Sequence, residues 1–497
     1  MRTLKSLPPA PKRLITVVLG FVILASCDGC DDDDDPSPGG GVVLVSVPGI
    51  PQNLTANVGA TALSLGWDVP ASNGGSSSLT YEVDVTVNPP PVAPPIVVVT
   101  GTRALISNAA PNRTYTVAVR ARNSAGVSAP TPSLVLIPQV VLSTSYAPVV
   151  VSGDPAPPNP NSGIFDPSVL RLTSGEIWMS YSAVSYYNNA SSQLVQDVGI
   201  RLARSVDNGV TFSHARTIAT PSAVTLPGCG VSLCNGRWVY ETSWLIDDST
   251  DPDPARRYKL FAHKYFLNPG NTPATFYHLG AIVMWTASAP DATWSSEISL
   301  LGWTSTPPQL TPLRILNSLH PALANCVVFA EGSASVRGGT IDFAFACPEM
   351  VGSQFPQKIV LVRTTDHANM FQYVATLLSP TDAPVGAKYF SAPALLSRPG
   401  AAPVLLATPV KTTDGSYDGC MVFPIANDAT GELFRTVTGP VSILTTPAGG
   451  LMGGACTYDR NLGPRGILQN SVSLAPGAPP VNAVFTIQAT QADLQRP

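Results

Sequence analysis

Charge is scarce in this chain. Asp, Glu, Lys and Arg make up 12% of its 497 residues, about half the usual share. The net charge is −4 and no basic stripe is present, so the electrostatic footprint of nucleic-acid binding is missing. Histidine is rarer still: there are 5. His263, His278, His320 and His367 show no metal-ligand spacing, and no metal is expected. GxSxG, P-loop and dinucleotide fingerprints are absent from the strand-and-turn contexts that would give them meaning, and no cofactor is expected. No apolar run reaches the roughly 20 residues of a membrane-spanning helix, and the 350 or so residues from about 145 onward lack a helix-length periodic segment. Apolar residues nevertheless make up 44% of the chain. That is enough for a core, so disorder is not expected outside a short tether.

What is present begins at the N-terminus. Arg2, Lys5, Lys12 and Arg13 precede residues 14–25, which are apolar apart from Thr16 and Gly20. A basic start followed by a short apolar core is a secretory signal. Its end, Leu24-Ala25-Ser26-Cys27, resembles the bacterial lipobox. The resemblance implies that residues 1–26 are removed and that Cys27 carries lipid, holding an extracytoplasmic protein to a membrane. Asp28 resembles an inner-membrane retention signal of enteric lipoproteins, but lineages differ, so inner or outer membrane stays open. Residues 27–44 read as a disordered tether: five consecutive aspartates at 31–35 repel one another, and proline and glycine follow.

Of the eight cysteines, Cys27 is assigned to lipid and Cys30 lies in the tether. The remaining six permit about 15 pairings. An even set in an exported chain implies disulfides, and joining near neighbours gives Cys229–Cys234, Cys326–Cys347 and Cys420–Cys456.

Residues 45–140 alternate between apolar and polar side chains, as in Leu63-Ser64-Leu65-Gly66-Trp67 and Thr114-Tyr115-Thr116-Val117-Ala118-Val119. A period of two between regular turns predicts a β-sandwich. Pro48, Pro51, Trp67, Tyr81, Tyr115 and Asn123-Ser124-Ala125-Gly126 together resemble a fibronectin type III domain. That likeness implies a spacer or docking module in which Trp67 and Tyr115 are core residues, with the Tyr115 hydroxyl bonded back to the backbone.

Residues 145–497 repeat a different unit of short strand, turn, outward strand and return strand. It recurs from Phe165-Asp166-Pro167-Ser168, from Tyr240-Glu241-Thr242-Ser243-Trp244, from Ala330-Glu331-Gly332-Ser333, from Ser391-Ala392-Pro393 and from Gly453-Gly454-Ala455-Cys456. This is the pattern of propeller blades. The whole chain is thus expected to be all-β, a fibronectin type III β-sandwich followed by a five-bladed β-propeller. Residues 205–212, Ser-Val-Asp-Asn-Gly-Val-Thr-Phe, resemble the Asp-box of sialidases and other propellers, a hairpin that marks fold and not chemistry.

Three acids, Asp166, Glu241 and Glu331, open the first three units. Inner strands of a propeller converge, so residues at equal places in successive blades line one end of the axis. Crowded carboxylates split their pKa values, which supplies the acid and base of glycoside hydrolysis. The constellation resembles the five-bladed glycoside hydrolases of families 43, 32 and 117. The resemblance implies Asp166 as general base and Glu331 as general acid, with Glu241 where those families carry a tuning aspartate. Trp244, Tyr389 and Phe390 lie near blade starts, where an aromatic ring can stack on a sugar. The function expected is a membrane-anchored glycoside hydrolase of the cell envelope acting on a glycan. The alternative is a non-catalytic propeller that binds glycan or protein. The sugar and the oligomeric state are not readable.

Overall fold

The computed structural model describes residues 45–487 except 59–61, 92, 111–112, 139–145, 156–161, 189–193, 228–234, 269–277, 352–354, 399–400, 437–438, 443, 447–451, 459–466 and 474–480. Cys27, Cys30 and the expected Cys229–Cys234 pair lie outside the described residues. The chain divides into two compact units at Pro138.

The first unit is a sandwich. One sheet holds Gln52–Val58, Ala62–Asp68, Arg103–Ser107 and Ile96–Thr100; the other holds Thr80–Asn88, Thr114–Asn123, Gly126–Val127 and Leu134–Leu136. Alternation decides which side chains turn inward. Tyr115, Val117, Val119 and Ala121 are all buried. The Tyr115 hydroxyl accepts the Ala110 backbone N–H at 2.7 Å, which anchors the corner of the sandwich. Trp67 meets Tyr81 edge-on, with ring centroids 5.3 Å apart.

The second unit is a ring of five mainly antiparallel sheets. Their inner strands are Ser162–Arg171, Asn235–Asp247, Ala330–Arg337, Ala387–Arg398 and Met452–Tyr458. Each inner strand contacts the inner strand of the next blade, and the fifth contacts the first, so the ring closes. Closure is also carried by backbone hydrogen bonds. Tyr146–Pro148, from the start of the unit, pairs with Val481–Ile487 and completes the fifth blade. The unit is a five-bladed propeller.

A blade sandwiched between neighbours has two buried faces, which is why its strands read as apolar on both. In the strand Ile177–Asn188, Ile177, Met179 and Tyr181 pack within the first blade against Phe212. Trp178 points the other way, into a layer with Leu245, Leu260 and Trp285 of the second blade. The third and fourth blades meet likewise through Ile359, Leu361, Phe390, Leu405 and Phe423. Among the described residues, disulfides add two ties: Cys326–Cys347 within the third blade and Cys420–Cys456 between the fourth and fifth.

Residues 205–212 form a tight hairpin. Ser205 Oγ donates to Asp207, the Gly209 N–H donates to Ser205 Oγ, and Thr211 donates to Asp207 from both N–H and Oγ1. The bonds from Thr211, above all, hold the Asp207 carboxyl down at about 2. A second copy, hidden in the sequence, occupies residues 364–371. Thr364 Oγ1 donates to Asp366, and the N–H groups of Ala368 and Met370 reach Thr364 Oγ1 and Asp366. Asn208 and Gly209 have φ of 59° and 77°; His367 and Ala368 repeat this with 59° and 75°. Phe212 and Phe371 are buried beneath the two turns.

Candidate active site

The site grows out of one irregularity repeated in all five inner strands. Pairing with the second strand skips between Phe165 and Ser168, Glu241 and Trp244, Ala330 and Ser333, Ser391 and Ala394, and Gly454 and Thr457. Each skip is a β-bulge, an extra residue that re-aims the side chains around it. The first bulge residues are Asp166, Thr242, Glu331, Ala392 and Ala455. Four of them sit in the left-handed region, with φ of 50°, 51°, 49° and 45° in blade order. That region costs a non-glycine residue roughly 1–2 kcal/mol. Strain of this kind persists where surrounding structure enforces it, and it clusters at functional sites.

The bulges bring Asp166, Thr242 and Glu331 together as half-buried residues around one axial pocket, with Trp244, Gly332, Ala392 and Cys456 completing much of its wall. It is narrow: its cavity volume is about 20 Å³, the room of a water, and it opens to solvent. Gly332 is required here: a Cβ on it would lie 2.5 Å from the Phe345 ring.

Both acids are oriented by the neighbouring blade. Asp166 Oδ2 accepts the Thr242 N–H and Oγ1, each at 3.2 Å. Glu331 Oε2 accepts the Ala392 N–H at 2.9 Å and also the Ser391 hydroxyl, while Oε1 accepts the Tyr417 hydroxyl. Burial, the Glu331 carboxylate and the charge of Asp166 hold the Tyr417 hydroxyl well above the ordinary tyrosine range, so it remains a donor at neutral pH.

The position of Glu241 is a correction. It was expected in register with Asp166 and Glu331, but Thr242 occupies that register. Glu241 is one residue early, and a one-residue step turns a strand side chain to the opposite face. It is buried, pairs across the strands with His263, and accepts the Tyr265 hydroxyl at 3.0 Å. Phe390 is also a core residue: it is 1% exposed and packs edge-on against Phe423 at 5.5 Å, leaving no face for a sugar. Trp244 lines the pocket. Tyr389 is half-buried and is not among the residues that line it; burial raises its hydroxyl against a hydrogen bond with Gln357, and the charge of Glu331 adds to the rise. Thr242, Ser391 and Tyr417 were not anticipated. The one available signal was a lone aromatic, Tyr417, in the turn-rich run Asp414-Gly415-Ser416-Tyr417-Asp418-Gly419.

At the far ends of the inner strands, Asp248, Asp251 and His367 gather closely enough to share a metal. The cations there are Lys259, whose Nζ lies 2.8 Å from Asp248 and 2.7 Å from Asp251, and Arg256, 3.6 Å from Asp251.

Residues 49–137 match the fibronectin type III domain family. Among curated proteins, none matches the chain. Three solved structures are similar at 11% identity and a TM-score of 0.39 each. A family 117 glycoside hydrolase of the marine bacterium Zobellia galactanivorans aligns over 69% of this chain and 90% of its own. A thermostable family-43 glycoside hydrolase aligns over 67% and 90%. The catalytic domain of the family 62 α-L-arabinofuranosidase of Coprinopsis cinerea aligns over 71% and 99%.

Proposed function

We propose that the propeller is a glycoside hydrolase of the cell envelope, with Asp166 as general base and Glu331 as general acid. One observation carries this reading: two carboxylates from different blades, each on an equivalent strained bulge, face one axial pocket. Hydrolysis of a glycosidic bond needs one carboxyl to protonate the leaving oxygen and another to activate water across the ring. Thr242 fixes Asp166, and Ala392 and Ser391 fix Glu331, so neither acid needs to reorganise when substrate arrives.

A second reading is a propeller that binds a glycan without cleaving it. It is favoured by Thr242 standing where a third acid was expected. A panel of polysaccharides and aryl glycosides, assayed for both turnover and binding, separates the two. On the first reading Glu331→Gln lowers turnover at least about a hundredfold. Turnover unchanged in that variant removes the catalytic assignment. Binding without turnover, lost in the same variant, supports the second reading.

Export and anchoring belong to the same proposal, and rest on the basic and apolar start and on Leu24-Ala25-Ser26-Cys27. Labelled fatty acid is expected to enter the wild-type chain, and Cys27→Ala to abolish both labelling and membrane retention. A Cys27→Ala chain that still fractionates with membranes refutes the lipid anchor.

A further inference from the structure

Tyr417 belongs to residues 412–419, the hairpin between the second and third strands of the fourth blade. Such hairpins lie at the end of the propeller where inner strands begin, and Glu331 is the second residue of its inner strand. Tyr417 therefore meets Glu331 at the end of the third blade where its inner strand begins. Its backbone is held firmly: Val410 bridges Tyr417, the Lys411 N–H donates to Ser416 O at 2.9 Å, and the Asp418 N–H donates to Pro409 O at 2.9 Å.

The two oxygens of Glu331 have different partners on the fourth blade: its inner strand and its hairpin. Oε2 is committed to the next blade through Ala392 and Ser391. Oε1 receives the Tyr417 hydroxyl. We propose that Tyr417 is a ligand-mimicking cap on Glu331: its hydroxyl keeps the place of a saccharide hydroxyl, and a ligand engages this acid by displacing it. The inference rests on the reading that this acid faces the ligand. It adds a selectivity rule. A polyhydroxy ligand replaces the donor it removes, whereas an apolar ligand would leave a carboxylate oxygen unsatisfied.

The cap can be tested without knowing the glycan. The full chain is treated with a water-soluble carbodiimide and glycine ethyl ester, and coupling at Glu331, Asp166 and buried Asp248 is quantified by peptide mass spectrometry. In Tyr417→Ala, coupling at Glu331 is expected to rise about tenfold, the scale of losing one hydrogen bond to a charged group. A smaller rise is expected in Tyr417→Phe, and Asp248 stays protected in both. Equal coupling at Glu331 in the wild type and both variants overturns the cap. If Tyr417→Ala also labels Asp248 it has unfolded, and the near-isosteric Tyr417→Phe decides by the same criterion. Because no glycan is present, this outcome is independent of the turnover test on Glu331→Gln.

Discussion

Lys259→Met is expected to destabilise the propeller by about 3–5 kcal/mol, the scale of removing one partner from a buried ion pair. Lys259 is fully buried, and its three ammonium protons have three acceptors: Asp248 at 2.8 Å, Asp251 at 2.7 Å and the Arg256 carbonyl at 2.9 Å. Methionine fills similar space but leaves two carboxylates without their cation. Burial alone would raise both acids; hydrogen bonds from Lys259, with His367 also on Asp248, outweigh it and hold both below the ordinary range. An aspartate with a lowered folded pKa contributes stability above its unfolded value near pH 4, and loses it as pH falls through the folded value. The deficit of the variant should thus be widest at neutral pH and narrow in acid. Urea unfolding at pH 7 and at about pH 2.5, below the unfolded value, measures it. Adding Asp248→Asn and Asp251→Asn to Lys259→Met should recover much of the loss, because no buried charge is then left alone. An unchanged midpoint at pH 7 would show that water reaches the cluster and that it holds nothing together.

That cluster also marks the limit of what the chain discloses as a string of letters. Period-two alternation is local, so the strands, the sandwich and the blade units were readable, as was the hairpin at residues 205–212 with its Asn-Gly turn. Its twin at 364–371 was not, because His367 and Ala368 adopt the same left-handed backbone without the glycine that advertises it. In the same way Asp166 and Glu331 could be picked out by position, but the second blade could not be registered. A bulge adds one residue that alternation does not show, and that residue decides whether Glu241 or Thr242 faces the axis. Tyr417 depends on a contact 86 residues long in sequence, which no local pattern encodes. Phe390 was misplaced for a related reason: at a blade start, a core aromatic and a sugar platform have the same letter and the same neighbours.

Cys420→Ser combined with Cys456→Ser is expected to cost about 4 kcal/mol, since the bond closes a loop of separation 36 and stabilisation grows with the logarithm of loop length. Its effect should also be spatially specific. Cys456 occupies the second bulge position of the fifth blade and lines the axial pocket. Cys420 opens the third strand of the fourth blade, three residues after Tyr417. The bond thus fastens the root of the capping hairpin to the pocket wall and ties the fourth blade to the last one of the ring. Cys326–Cys347 closes a separation of 21 and stays within the third blade; its removal should cost about 3 kcal/mol by the same relation, without touching the pocket. Comparing the two paired-serine variants by urea unfolding, and by carbodiimide coupling at Glu331 in native conditions, distinguishes a general staple from one that shapes the site. The Cys420 and Cys456 pair should both unfold earlier and expose Glu331 to coupling, whereas the Cys326 and Cys347 pair should only unfold earlier. Equal coupling at Glu331 in both variants would mean that the acids are held by the blade bulges alone, and that the disulfide contributes to the ring but not to the pocket.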